Sequence, residues 1–109
     1  MALISFTALA QEDISGEWIF NVQTDMGNGS PLFTIEQDDS GNLGGTYSGA
    51  LGEAEIEGSI DAEGIVAIRF TVQGNPVKYD GKLEDGKIVG QVDLAGMASG
   101  SFVGERKED

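Results

Sequence analysis

Few side chains in this sequence could do chemistry, and together they narrow the reactions open to it. Histidine and cysteine are absent, so there is no imidazole base, thiolate nucleophile or thiolate metal site. Zinc and copper centres of the usual kinds are excluded with them, and neither a metal nor a cofactor is expected. Carboxylates are plentiful, with 19 Asp and Glu against 6 Lys and Arg, but their spacing argues against catalysis. Glu53, Glu55 and Glu57 alternate along one segment and would line one face of a strand, as a solvated stripe rather than a pair converging in a cleft. Asp38-Asp39-Ser40-Gly41-Asn42 lacks the spacing and the downstream bidentate Glu of a calcium loop and reads as a hairpin turn. No helix start follows the Gly-rich stretch at 41–45 to cradle a phosphate. What remains is Tyr47, Tyr79, Arg106 and a set of uncharged loops carrying Met26, Leu51, Asn75 and Met97.

Eight short alternating segments, separated by Gly, Asn and Asp turns, carry these residues: 17–24, 32–38, 43–48, 53–60, 65–72, 77–84, 87–94 and 98–107. Alternation sorts each into two faces. One face collects Trp18, Phe20, Val22, Phe33, Ile35, Leu43, Tyr47, Ile56, Ile60, Val66, Ile68, Phe70 and Val72. It continues with Val77, Tyr79, Leu83, Ile88, Val92, Leu94, Phe102 and Arg106. The other is polar, with Glu17, Asn21, Thr34, Glu55, Lys78, Asp80, Gln91 and Glu105. Gly45, Gly58, Gly81, Gly90, Gly100 and Gly104 recur on the apolar register, where a narrow barrel needs space. No apolar stripe of period 3.6 is long enough for a helix. The expected fold is all-β: an eight-stranded antiparallel up-and-down barrel, a meander occupying residues 11–109. Closure would bring Trp18 and Arg106 together at one end, with the guanidinium over the indole.

Gly16-Glu17-Trp18 near the start, with Arg106 in the final strand, resembles the structural signature of the calycin superfamily of lipocalins, fatty-acid-binding proteins and avidins. More narrowly, Ile14-Ser15-Gly16-Glu17-Trp18, Phe33-Thr34-Ile35 and Gly41-Asn42-Leu43-Gly44-Gly45-Thr46-Tyr47 are similar to the opening of an avidin-type chain. That likeness covers roughly the first third. It implies a streptavidin- or lipocalin-like barrel, and Tyr47 alone falls on a matching motif as a ligand contact. Biotin binding does not carry over, because avidins hold biotin with several tryptophans and Trp18 is the only one here. The chain also resembles short exported bacterial barrel domains of unassigned function.

In a meander the connections alternate between the two ends. One end collects acidic turns at 38–42, 61–64 and 84–87. The other collects 26–31, 49–52, 73–76 and 95–97, almost without charge. This polarity points to a secreted, non-enzymatic small barrel binding an apolar small ligand or a partner segment at its uncharged mouth. Expected contacts are Met26, Leu51, Asn75 and Met97 on the loops, above Tyr47, Phe70, Tyr79 and Leu94 on the strand ends, with the 26–31 connection as a lid. Three alternatives stay open: loops that seal a filled core, with each tyrosine hydroxyl bonded to a loop carbonyl; a lumen isomerase or cyclase; and a structural or assembly module acting through the outer face. The net charge of -13 repels phosphate backbones and anionic headgroups, so no nucleic acid and no membrane insertion is expected. Ile19, Val89 and Val103 on the polar face suggest a weak homodimer patch. Residues 1–10 read as a signal-peptide remnant, an apolar run ending in Ala8-Leu9-Ala10 before Gln11, with a first strand or a packed tail as the alternative. The expected location is accordingly secreted or periplasmic.

Overall fold

A sheet that is apolar on one face can enclose that face by curling until its first and last strands meet. The computed structural model, which describes residues 13–107, does so. Its strands are β1 (Gly16–Thr24), β2 (Gly27–Gly29), β3 (Leu32–Gln37), β4 (Asn42–Gly49), β5 (Gly52–Ile60), β6 (Ile65–Val72), β7 (Asn75–Glu84), β8 (Lys87–Leu94) and β9 (Ala98–Arg106). From β3 to β9 neighbours in sequence pair antiparallel, and β1 pairs both β3 and β9 to close the ring. β2 and β3 act as one wall strand broken at Ser30-Pro31. β2 pairs the second half of β1, with Val22 opposite Gly29, and β3 pairs the first half, with Trp18 opposite Phe33. Proline has no N–H to give a ladder, and here its carbonyl instead accepts from the Phe20 N–H at 3.0 Å, stitching the gap. The wall is thus an eight-stranded, closed, up-and-down antiparallel barrel, with no helix among the described residues.

The 26–31 connection, expected as a lid, is a hairpin paired to β1 that lines the mouth. Gly27–Gly29 is laddered to Val22–Thr24, leaving a tight turn at Asp25-Met26 that Thr24 Oγ1 holds by donating to the Gly27 carbonyl and accepting from the Met26 N–H. The sequence obscures this because Gly-Asn-Gly carries no apolar alternation. Residues 1–10, read above as a signal remnant, lie outside the described residues.

Aromatic packing fills the middle of the lumen. Every Phe and Tyr among the described residues joins one cluster: Phe20 lies 4.3 Å from Phe33 and 5.0 Å from Phe102, Tyr79 is 5.0 Å from Phe102, and Tyr47 stacks on Phe70 at 4.5 Å. Two inward glycines show how the barrel stays narrow enough for this. At Gly104 a Cβ would come within 2.6 Å of the Phe20 ring, and at Gly45 (φ +125) it would fall on the Thr34 carbonyl. Leu83 and Leu94, assigned inward by alternation, are only partly buried.

The acidic end is closed by a segment the alternation does not reveal. Ile14 precedes β1 and is 1% exposed, packed against the core. Its carbonyl accepts from Trp18 Nε1 at 2.9 Å, and its N–H donates to Gln37 Oε1. Arg106 sits on the inward register but is exposed at the rim. Its guanidinium lies 4.8 Å from the Trp18 ring and donates to the Ser15 and Asp13 carbonyls at 2.9 and 2.7 Å. One cation therefore clamps the last strand, the indole and the entering chain.

Candidate functional site

Opposite that clamp, the turns β1–β2, β4–β5, β6–β7 and β8–β9 ring the other end of the barrel. Two are X-Gly pairs with both residues at positive φ, Gln73-Gly74 and Ala95-Gly96, a backbone hand that matches the twist of a two-residue hairpin. Ala95 at φ 55 carries about 1–2 kcal/mol of left-handed strain, held by the ladder on either side. Gln73 Nε2 donates to the Leu51 carbonyl at 2.6 Å, tying two turns together. Met97 N–H donates to the Leu94 carbonyl, and Asp25 exchanges hydrogen bonds with Ser99 across the β1–β9 seam.

Within this ring lies a cup of about 350 Å³, inside the range of small-molecule sites. Of the residues expected there, Met26, Leu51, Asn75 and Met97 line it, together with Tyr47, Tyr79 and Leu94. Phe70 does not. It stacks on Tyr47 at 4.5 Å without lining the cup itself. Val22, Thr24, Asn28, Pro31, Ala50, Val77 and Ala98 also contribute. Most of these adjoin a turn or sit at an inward strand end, a signal legible once the strand order is known. Asn28 and Pro31 enter because β2 folds back on β1. Met26 is 73% exposed, Met97 64% and Leu51 41%, an apolar rim on a chain whose surface is otherwise strongly acidic. No Asp, Glu, Lys or Arg lines the cup. A filled shaft and an open mouth thus coexist, since the aromatic cluster seals the lumen below the cup.

The cup's polar equipment is neutral. Burial pushes the Tyr79 phenol well above its ordinary value, and the neighbouring Tyr47 adds to the effect. Burial also raises Tyr47, partly opposed by the Leu51 backbone N–H. Both rings therefore stay protonated at any physiological pH. Tyr79 is 3% exposed, and its hydroxyl hydrogen-bonds no described residue, loop carbonyls included. Because no buried side-chain oxygen or nitrogen is sealed off without a partner, that hydroxyl must reach the cup.

The acidic groups are engaged elsewhere. Asp38 accepts from the N–H groups of Ser40 and Asn42 and from Asn42 Nδ2 at 2.8–3.1 Å, which holds its carboxyl below the usual range. Asp61 accepts from the N–H groups of Glu63 and Ile65 at 2.9 Å. Among the described residues no cluster of three or more carboxylates could hold a metal. Glu53 and Glu55 flank a shallow depression on the outer wall, in the manner of a solvated stripe. The patch read from Ile19, Val89 and Val103 is partly assembled. Val89 and Val103 are opposite each other, whereas Ile19 faces Glu105 on one side and Leu32 on the other. Neither a scan against protein-family models nor a search of curated proteins finds a match to this chain.

Proposed function

We propose that this protein is a calycin-like, exported, non-enzymatic barrel that binds a small apolar molecule at its mouth. The observation that carries the reading is the uncharged cup of about 350 Å³ on a chain of net charge -13. A protein that carries this much negative charge but places none of it in this apolar cup has a surface suited to a desolvated ligand. Exposed methionines at the rim adapt to irregular shapes at low cost. The export reading rests on the Ala8-Leu9-Ala10 run. A lumen enzyme is the weaker reading, because two neutral phenols at the floor provide acids without a base.

A titration with N-phenyl-1-naphthylamine, a neutral probe that brightens in apolar surroundings, tests the reading. Saturable brightening is expected, and Leu51→Asp and Met97→Asp should each weaken it at least about tenfold by placing a carboxylate at the rim. Both positions are exposed, so the fold should tolerate them. Absence of brightening, or brightening indifferent to both substitutions, would mean that the mouth is only the barrel's sealed end. A second reading has its own observation in two outward apolar pairs, Leu32 with Ile19 and Val103 with Val89, which would serve self-association. A concentration-dependent mass in sedimentation, lost in Val103→Asp, would support that reading.

A further inference from the structure

We infer that the cup selects neutral molecules that join an apolar body to a carbonyl oxygen, and that this oxygen is received by the Tyr79 hydroxyl. The inference rests on the reading of the mouth as a ligand site and adds the chemical class of ligand. Tyr79 is almost wholly buried, lines the cup, and has no hydrogen-bond partner among the described residues. An unpaired hydroxyl at the floor of an apolar concavity is costly unless water or a ligand satisfies it. A phenol is both donor and acceptor, but the rest of the lining decides which role the ligand uses. Tyr47 stands next to Tyr79 and its hydroxyl already faces the Leu51 N–H. The Leu51 N–H serves the Tyr47 oxygen, whereas no described residue accepts the Tyr79 proton, so the Tyr79 O–H at the cup floor is the group left to donate to a ligand.

The same lining excludes anions. All six basic residues lie elsewhere. Arg69, Lys87 and Lys107 pair with Asp80, Glu105 and Glu17 on the outer wall. Lys78 and Lys82 are outward on β7, and Arg106 is committed to the Trp18 end. A carboxylate entering the cup would lose its hydration and find no cation to replace it. Burial keeps both phenols protonated, so they can donate but cannot balance a charge. Ketones, aldehydes, esters and amides fit these constraints, whereas carboxylates do not.

Three probes of nearly equal size separate the possibilities when used to displace N-phenyl-1-naphthylamine: 2-acetylnaphthalene, 2-ethylnaphthalene and 2-naphthoate. The acetyl compound should displace the reporter about five- to tenfold better than the ethyl compound, as one hydrogen bond allows, and the naphthoate should be weakest at neutral pH. In Tyr79→Phe the acetyl advantage over the ethyl compound, each measured against the reporter's own affinity for that variant, should vanish. The carbonyl stretch of bound 2-acetylnaphthalene, isotope-labelled at the carbonyl carbon, gives a readout on the unmutated protein. It should lie at lower wavenumber than in hexane. Equal displacement by acetyl and ethyl compounds, an acetyl advantage that survives Tyr79→Phe, or a hexane-like stretch would each overturn the assignment while leaving the mouth a binding site. Failure of the reporter itself to bind would overturn both.

Discussion

Removing the guanidinium of Arg106 should unfasten one whole end of the barrel. In Arg106→Ala three things are lost: the stacking over Trp18 at 4.8 Å, and the hydrogen bonds to the Ser15 and Asp13 carbonyls. An exposed cation–π contact is worth about 0.5–1 kcal/mol, and each hydrogen bond contributes about 0.5–1.5 kcal/mol, nearer the lower figure where water competes. The direct loss is therefore about 2 kcal/mol. If the segment before β1 then loosens, part of the burial of Ile14, worth about 1.5–3 kcal/mol, goes with it. A total near 3 kcal/mol would lower the melting temperature by more than about 10 °C in a domain of this size. Urea unfolding followed by Trp18 emission suits the test, because the chain has one tryptophan, fully buried beside the clamp. Ile14→Ala completes a double-mutant cycle. Since Arg106 and Ile14 secure the same segment, the double variant should lose at least about 1 kcal/mol less than the sum of the single losses. Strict additivity, or Arg106→Ala unfolding at the native midpoint, would refute the idea that one cation fastens strand, indole and entering chain as a unit.

Gly45→Ala should cost about 3 kcal/mol or more, combining a left-handed φ with a Cβ placed on the Thr34 carbonyl. Gly44→Ala, next to it in open space, should be neutral or slightly stabilising in the same melting assay. Comparable losses at both positions would contradict the close strand approach described for Gly45. The raised Tyr79 phenol makes a prediction about alkali. Below its ordinary value of 10.0 folded and unfolded chains are both protonated and its contribution is complete. Above that value the unfolded chain ionises first, so stability should fall as pH rises. Tyr79→Phe should flatten that fall in melting temperatures measured from about pH 9 to 11.5, and an unchanged slope would count against the burial argument.

The strand pattern was largely legible because each wall segment alternates and each turn is punctuated by glycine. Ile65–Val72 and Lys87–Leu94 can be read to the residue on that basis. The Trp18–Arg106 meeting followed from closure alone. Two features escaped for physical reasons. Gly27–Gly29 has no side chains to alternate, so its ladder to β1 is invisible until Val22–Thr24 is seen to need a partner. Ile14 is buried from outside any strand, where periodicity says nothing. At the mouth, alternation tells which side of the wall a residue faces but not how deep it lies. Phe70 faces inward as alternation requires, yet it stacks on Tyr47 at 4.5 Å and does not line the cup.

The single seam between β1 and β9 also governs how the chain reaches this shape. All other wall neighbours are adjacent in sequence and can zip as hairpins, each closing only a short loop. The Arg106 clamp on this seam joins groups 91 residues apart. The entropy of ring closure is therefore concentrated in one non-local step that no single hairpin can offset. Until that step occurs β1 and β9 are open edges, each ready to pair with the other or with another chain. Productive folding and edge-to-edge association thus compete for the same two strands, and once the ring has closed neither strand keeps a free edge.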